Sequence, residues 1–181
     1  MVKKTIWAAL ALLCAAAMPA QASEPSVVKL ADVANEVLGY TRYTVFDDVT
    51  IGIDGGVVTL AGKVTMPYKA EDLARRVSRV AGVEQVRNHL TVLPVSQFDD
   101  SLRSWLAHAI YDHPLFLHYA SMANPPIHIV VDGGRVTLTG VVNSEVERTV
   151  AYGIARSSLA LSVTNELKTD AEMPRLLDRG R

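Results

Sequence analysis

One stretch of this chain is written twice. Ile51-Gly-Ile-Asp-Gly-Gly-Val-Val-Thr-Leu-Ala-Gly-Lys-Val64 aligns with Ile129-Val-Val-Asp-Gly-Gly-Arg-Val-Thr-Leu-Thr-Gly-Val-Val142 at an offset of 78. With one deletion the match continues from Val86-Arg-Asn88-His-Leu90 to Val163-Thr-Asn165-Glu-Leu167. A period of this size is too long for a solenoid repeat and suits a small domain. The chain is therefore expected to hold two copies of one module, over residues 26–93 and 98–169.

Each copy reads as strand, tight turn, strand, helix, strand. Val49, Ile51 and Ile53 alternate with polar or small residues, the pattern of a half-buried strand. Asp54-Gly55-Gly56 interrupts it, and Val58 and Leu60 resume it on a return strand. Asp-Gly and Gly-Gly suit a two-residue hairpin turn, because glycine tolerates positive φ. Gly62 marks a bulge or a close backbone approach near that strand's end. The second copy repeats the device with Gly133, Gly134 and Gly140, so Gly55, Gly56, Gly62, Gly133, Gly134 and Gly140 are the expected structural turns.

After each hairpin comes an amphipathic helix. In the first copy Ala70, Leu73, Ala74, Val77, Val80 and Ala81 share a face, with Glu71/Arg75 and Asp72/Arg76 spaced for pairing on the other. In the second, Val146, Val150, Ile154 and Ser158 trace the weaker equivalent. A last strand follows, and a crossover through a helix favours parallel pairing. A leading helix precedes each hairpin, with Val27, Leu30, Ala34, Val37 and Leu38 as its apolar face in copy one. In copy two that face is Leu102, Trp105, Leu106, Ala109 and Ile110, and Pro114 limits the helix. The fold class is thus α+β: two tandem αββαβ modules, each with a three-stranded mixed sheet on two helices. Residues 93–98 form a short linker, which holds the modules in a preferred relation, and residues 172–181 read as a disordered tail.

The amino terminus has the three parts of an export signal: Lys3 and Lys4, an uncharged apolar run over residues 6–17, and Ala20-Gln21-Ala22. The apolar run falls short of the roughly 20 residues a membrane span needs. Residues 1–22 are read as a signal peptide cleaved after Ala22, which places the protein in the periplasm. Cys14, the one cysteine, would leave with it, so the mature chain has no thiol chemistry. Losing Lys3 and Lys4 takes 18 basic and 19 acidic residues to 16 and 19, a formal charge of −3. So mild a charge gives no overall pull toward nucleic acid or acidic lipid.

The pattern of helix, hairpin with Asp-Gly and a late Gly, helix, then Gly82-Val83-Glu84-Gln85-Val86-Arg87-Asn88-His89-Leu90 resembles the BON domain of bacterial envelope proteins. Two such domains behind a signal peptide resemble the dual-BON periplasmic proteins. The second copy departs at its end, where Leu159-Ala160-Leu161 replaces the Gly-Val turn. The resemblance implies two helices on a three-stranded mixed sheet. It also implies non-catalytic roles: binding phospholipid or another envelope component, supporting envelope integrity or a stress response, or acting as a holdase-like chaperone.

Chemistry is sparse. The intervals of five between His108, His113 and His118 turn each histidine about 140° from the last on a helix, so no metal site is expected from them. Asp54-Gly55-Gly56 opens a strand and lacks the Lys-Ser/Thr of a phosphate loop. Asn88 and Asn165 repeat on the apolar parity of a strand and read as amides capping backbone groups. Asp99 and Asp100 read as caps of the helix that follows. No enzyme, cofactor, metal or nucleic-acid partner is expected. Two features could touch an anionic phospholipid surface or an envelope protein. Arg75, Arg76 and Arg79, with Lys69, make a basic helix face, for which a solvated face is the plainer reading. Trp105, at the edge of an apolar arc, is either core or interfacial anchor.

Overall fold

The computed structural model describes residues 28–172. The expected signal peptide and its cleavage after Ala22, Cys14 and residues 173–181 lie outside the described residues. Within them the chain forms two tandem αββαβ modules. The first runs α1 (Leu30–Leu38), β1 (Asp48–Asp54), β2 (Val57–Val64), α2 (Pro67–Val77), β3 (Gln85–Val92). The second runs α3 (Gln97–Tyr111), the short α4 (Leu117–Ala120), β4 (Ile127–Asp132), β5 (Arg135–Val142), α5 (Glu145–Arg156), β6 (Ser162–Asn165) and β7 (Lys168–Thr169).

Both sheets are mixed, as the crossover helices require. β1 pairs antiparallel with β2, and β2 pairs parallel with β3. β4, β5 and β6 repeat this, but the last strand of the second module is divided, and β7 also pairs parallel with β5. The turns use glycine where φ must be positive: Gly55 at 57°, Gly133 at 57° and Gly134 at 74°. Gly62 (φ 127°) and Gly140 (φ 109°) are close approaches, since a Cβ there would collide with the carbonyl oxygens of Asp48 and Pro126.

Asn88 and Asn165 do the same work in both copies. Asn88 Nδ2 donates to the Ala70 carbonyl on α2 (3.0 Å) and its Oδ1 accepts the Leu90 amide (3.2 Å). Asn165 bonds the Arg148 carbonyl (3.4 Å) and the Leu167 amide (3.2 Å). Each amide ties helix to strand and satisfies a strand N–H that faces away from β2 or β5.

Helix faces depart from the sequence reading in three places. Leu30 and Leu38 are exposed; α1 buries Val37, as expected, together with Val33, which was not. α5 exposes Val146 and buries Glu147, Ala151 and Ala155, a stripe rotated by one residue from the predicted one, with Val150 and Ile154 packed at its margin. Alanines let α5 lie close to the sheet, so the larger side chains flank the contact rather than fill it. On α3, Leu102, Leu106 and Ile110 are buried while Trp105 stays 47% exposed. Asp99 and Asp100 are not caps: Ser96 caps α3 by accepting the Asp99 amide. Glu172 belongs to the fold, accepting from the Thr169 amide (2.9 Å) and from Arg148 (3.1 Å).

The modules meet beside β1 and β4, outer strands of their sheets. The Ile129 amide donates to the Val45 carbonyl (2.6 Å), Thr139 Oγ1 to Asp48 (2.9 Å) and Asn124 to the Leu38 carbonyl (3.0 Å). Lys63 pairs with Asp132 at 2.6 Å. Phe46, from the first module, packs against the core of the second. His128 lies 5.3 Å from the Tyr43 ring in this junction, and burial holds its imidazole below the usual range.

Candidate functional site

The predicted basic face is assembled on α2, but most of its charge is used within the fold. Lys69 is not on that face at all: it is 4% exposed and pairs with fully buried Asp47 at 2.6 Å. Arg75 pairs with Asp72, three residues back rather than with Glu71. Arg76 reaches across to α1, to the Glu36 carboxylate (2.9 Å) and carbonyl (3.1 Å), and lies over the Tyr40 ring at 5.7 Å. Tyr40 donates to Asp72 (2.7 Å), a bond that holds the Asp72 carboxyl below its usual range. Burial, with Asp72 beside it, pushes the Tyr40 hydroxyl up to about 12. This lattice fastens α1 to α2. Arg79, exposed beyond the helix end, has no acidic partner among the described residues.

Trp105 sits in the other module. No hydrogen bond or ion pair joins it to the three arginines among the described residues. It borders a groove of about 390 Å³ between α3 and the turn after α5, lined by Phe98, Leu102, Ser157, Ser158 and Leu159. The groove is continuous with an apolar surface: Phe98 is 49% exposed, Leu159 81% and Leu161 75%. Leu161 donates its amide to the Gly134 carbonyl (2.8 Å), and its side chain and the Phe98 ring crowd the position a Gly134 Cβ would take. Asp99 fixes the arrangement. Its buried carboxylate accepts the Gly133 (2.9 Å) and Gly134 (2.8 Å) amides, locking α3 to the hairpin turn.

The first module supplies an internal comparison. There the corresponding residues are Gly82, with φ 87°, and Glu84, whose side chain covers Gly56. Two leucines thus stand in the second module where the first has a turn glycine and an acid. Single exposed apolar residues are ordinary, but a cluster of four around a groove marks an interaction surface. Arg156, just before Ser157, and Arg135, paired in register with Ser162, are both exposed and have no ion pair among the described residues. Sequence reading noted the Leu159-Ala160-Leu161 departure but saw no surface in it. The repeat offset, which sets those leucines against Gly82 and Glu84, was the available signal.

Elsewhere the ionisable groups are structural. Tyr119 donates to Glu147 (2.7 Å) while the Asn143 amide donates to both, and burial pushes the Tyr119 hydroxyl up to about 12. Among the described residues no three His, Cys, Asp or Glu side chains are grouped to hold a metal.

Fold and surface together define a tandem pair of α+β modules whose second copy presents an apolar face with basic flanks. The sequence matches the BON domain over residues 27–94 and 116–171, more than half of the chain, and the protein belongs to that family. The second match begins after α3, although Leu102, Leu106 and Ile110 of that helix are in the second core. BON domains are typical of periplasmic and envelope-associated binding proteins. No helix among the described residues is long and apolar enough to cross a membrane. No curated protein matches the chain. Among solved structures it is similar to CdsD, a structural protein of the type III secretion system of Chlamydia trachomatis, at 15% identity over 82% of this chain and 96% of that one, TM-score 0.27. A second match, to the C-terminal domain of CdsD, has 13% identity over 77% of this chain and 98% of that one, TM-score 0.27. Scores this low carry no structural argument.

Proposed function

We propose that the protein is an exported, periplasmic, non-catalytic module that docks on anionic phospholipid membrane and supports the envelope there, including under stress. One observation supports this most: the exposed Phe98, Trp105 and Leu159 around one groove, with exposed Leu161 beside Phe98 at Gly134, and with the exposed Arg156 one residue before the groove's Ser157 and Arg135 in register with Ser162. Tryptophan favours the membrane interface, and leucines beside it gain by leaving water. The flanking arginines supply the local attraction that the mature chain's formal charge of −3 does not. Arg79 is a further contact of the same kind on the first module, whereas Arg75 and Arg76 are neutralised in place.

Flotation with liposomes containing phosphatidylglycerol tests the proposal. Each basic residue at an anionic surface is worth about 1 kcal/mol. Arg135→Gln with Arg156→Gln should therefore weaken binding about thirtyfold and flatten its salt dependence. Leu159→Ser with Leu161→Ser should weaken binding without altering the salt slope. A folded four-fold variant that floats like the parent refutes the site. Suppression of client aggregation by a protein that does not float would establish the holdase-like chaperone instead.

A further inference from the structure

The junction between modules closes over a histidine whose ring nitrogen has no partner. His128 and Val130 project from β4 on the side opposite its core residues Ile127, Ile129 and Val131. Val130 is only 5% exposed, so this side is covered as well. Residues of both copies lie against His128. Tyr43, Thr44 and Val45 of the first module and Ala123, Asn124 and Pro125 of the second line a cavity of about 180 Å³ beside it. The Tyr43 ring is tilted against the imidazole at 44°. His128 Nδ1 is sealed from solvent and has no hydrogen-bond partner among the described residues. In a neutral imidazole one ring nitrogen carries no hydrogen, and Nδ1 fits that role; in the imidazolium both nitrogens are donors. A proton on Nδ1 therefore buries an unpaired N–H on a charged ring, a costly state.

The charges around the ring are already engaged. Asp47 accepts from Lys69, Thr44 and Thr65, and Asp48 accepts from Thr139 Oγ1. Lys63 is turned to Asp132. The Tyr43 hydroxyl stays protonated, pushed up by burial. Thr139, opposite His128 on β5, and residues 123–125 carry no charge. Burial pushes the imidazole below its usual range, and the nearby Asp47 and Thr44 carbonyls and the two carboxylates offset this only in part.

We propose that His128 is a pH-sensitive latch between the modules: in a mildly acidic medium it takes a proton, and the second module releases segment 43–48 of the first. Release breaks the bonds from Ile129 to Val45, Thr139 to Asp48 and Asn124 to Leu38, and it uncovers Phe46 and Val130. The docked form binds the proton less tightly than the released form. Docking is therefore at full strength above about pH 6.5, the value of a free histidine, and weakens by up to about tenfold per pH unit as pH falls through it. The loss is complete once the docked form is protonated too.

Hydrogen exchange read by NMR tests this at one atom. The Ile129 amide is held by the Val45 carbonyl of the other module, so its protection reports docking. Between about pH 6.5 and 5.5 its protection factor, corrected for the intrinsic rate, should fall about three- to fivefold. Amides of the central strand β2 should keep theirs. The His128 ring, followed by its carbon-13 resonances, should titrate below a free histidine. His128→Phe keeps a ring against Tyr43 and cannot take a proton, so its Ile129 protection should stay constant over this range. Should phenylalanine disturb the packing, His128→Gln carries the same expectation. Steady protection in the parent, an equal fall in the variants, a fall shared by β2, or a His128 ring that titrates at or above the free value would each overturn the latch. None of these measurements depends on lipid, so the latch and the membrane-docking face fail independently.

Discussion

Lys69→Met isolates the one ion pair that, among the described residues, has both partners out of water. Asp47 is fully buried and Lys69 nearly so. The Asp47 carboxylate accepts from Lys69 Nζ (2.6 Å), the Thr44 amide (2.9 Å) and hydroxyl (2.7 Å), and the Thr65 amide (2.7 Å) and hydroxyl (2.9 Å). Burial alone pushes this carboxyl up; the bonds from Lys69, Thr65 and Thr44 more than offset it and hold it below the usual range. Methionine keeps the length of the side chain and strands the carboxylate. Removing one partner of a buried pair costs about 3–5 kcal/mol, and the four remaining donors place the loss toward the lower end. The pH dependence discriminates further. In the parent, the lowered folded pKa makes Asp47 stabilising above the unfolded value of about 3.9, and that contribution is lost as pH falls through the folded value. In Lys69→Met burial prevails and the folded pKa is raised, so the deficit should shrink between pH 7 and about 4.5 as the stranded carboxylate takes a proton. Urea unfolding at both pH values measures this, with far-UV circular dichroism reporting both modules and Trp105 fluorescence reporting the second. A deficit below about 1 kcal/mol at pH 7, the level of an exposed pair, or one independent of pH, would refute the reasoning.

The glycines should separate by their surroundings. Gly133→Ala meets open space beyond Arg135 and should lose about 1–2 kcal/mol from its φ alone, whereas Gly140→Ala drives a methyl into the Pro126 carbonyl and should lose about 3 kcal/mol or more; thermal melts rank them. Glu147→Gln, at the position matching Lys69, keeps an acceptor for Tyr119 but not a charge, and should cost about 1–2 kcal/mol in urea unfolding. Changing Arg75 and Arg76 together to glutamine should reduce liposome flotation far less than changing Arg135 and Arg156, because the first pair is already bound to Asp72 and Glu36.

What the sequence determined by itself was everything with a short period or a local steric rule. The offset of 78 set two copies, alternation at Ile51 and Ile53 set a strand, and the crossover helix set parallel pairing with β3. The repeated Asn88 and Asn165 declared a backbone-capping amide, because a polar side chain at an apolar parity needs a nearby partner. Trp105, by contrast, lay at the margin of its helical arc, where a few degrees of rotation decide between core and solvent, and only the packed helix decided it. The fate of each charge was equally a matter of tertiary structure. Lys69 meets Asp47 from 22 residues away, and Lys63 meets Asp132 from 69. Helical spacing speaks only for neighbours three or four apart, so it assigned Arg75 and Arg76 partners on their own helix and could not see Glu36 on α1. The apolar face needed Phe98, Leu161 and the hairpin turn to be drawn together by Asp99, and the buried junction needed His128 and Tyr43 from different copies. Such contacts arise when distant segments share one desolvated space, and no periodicity within a segment records them.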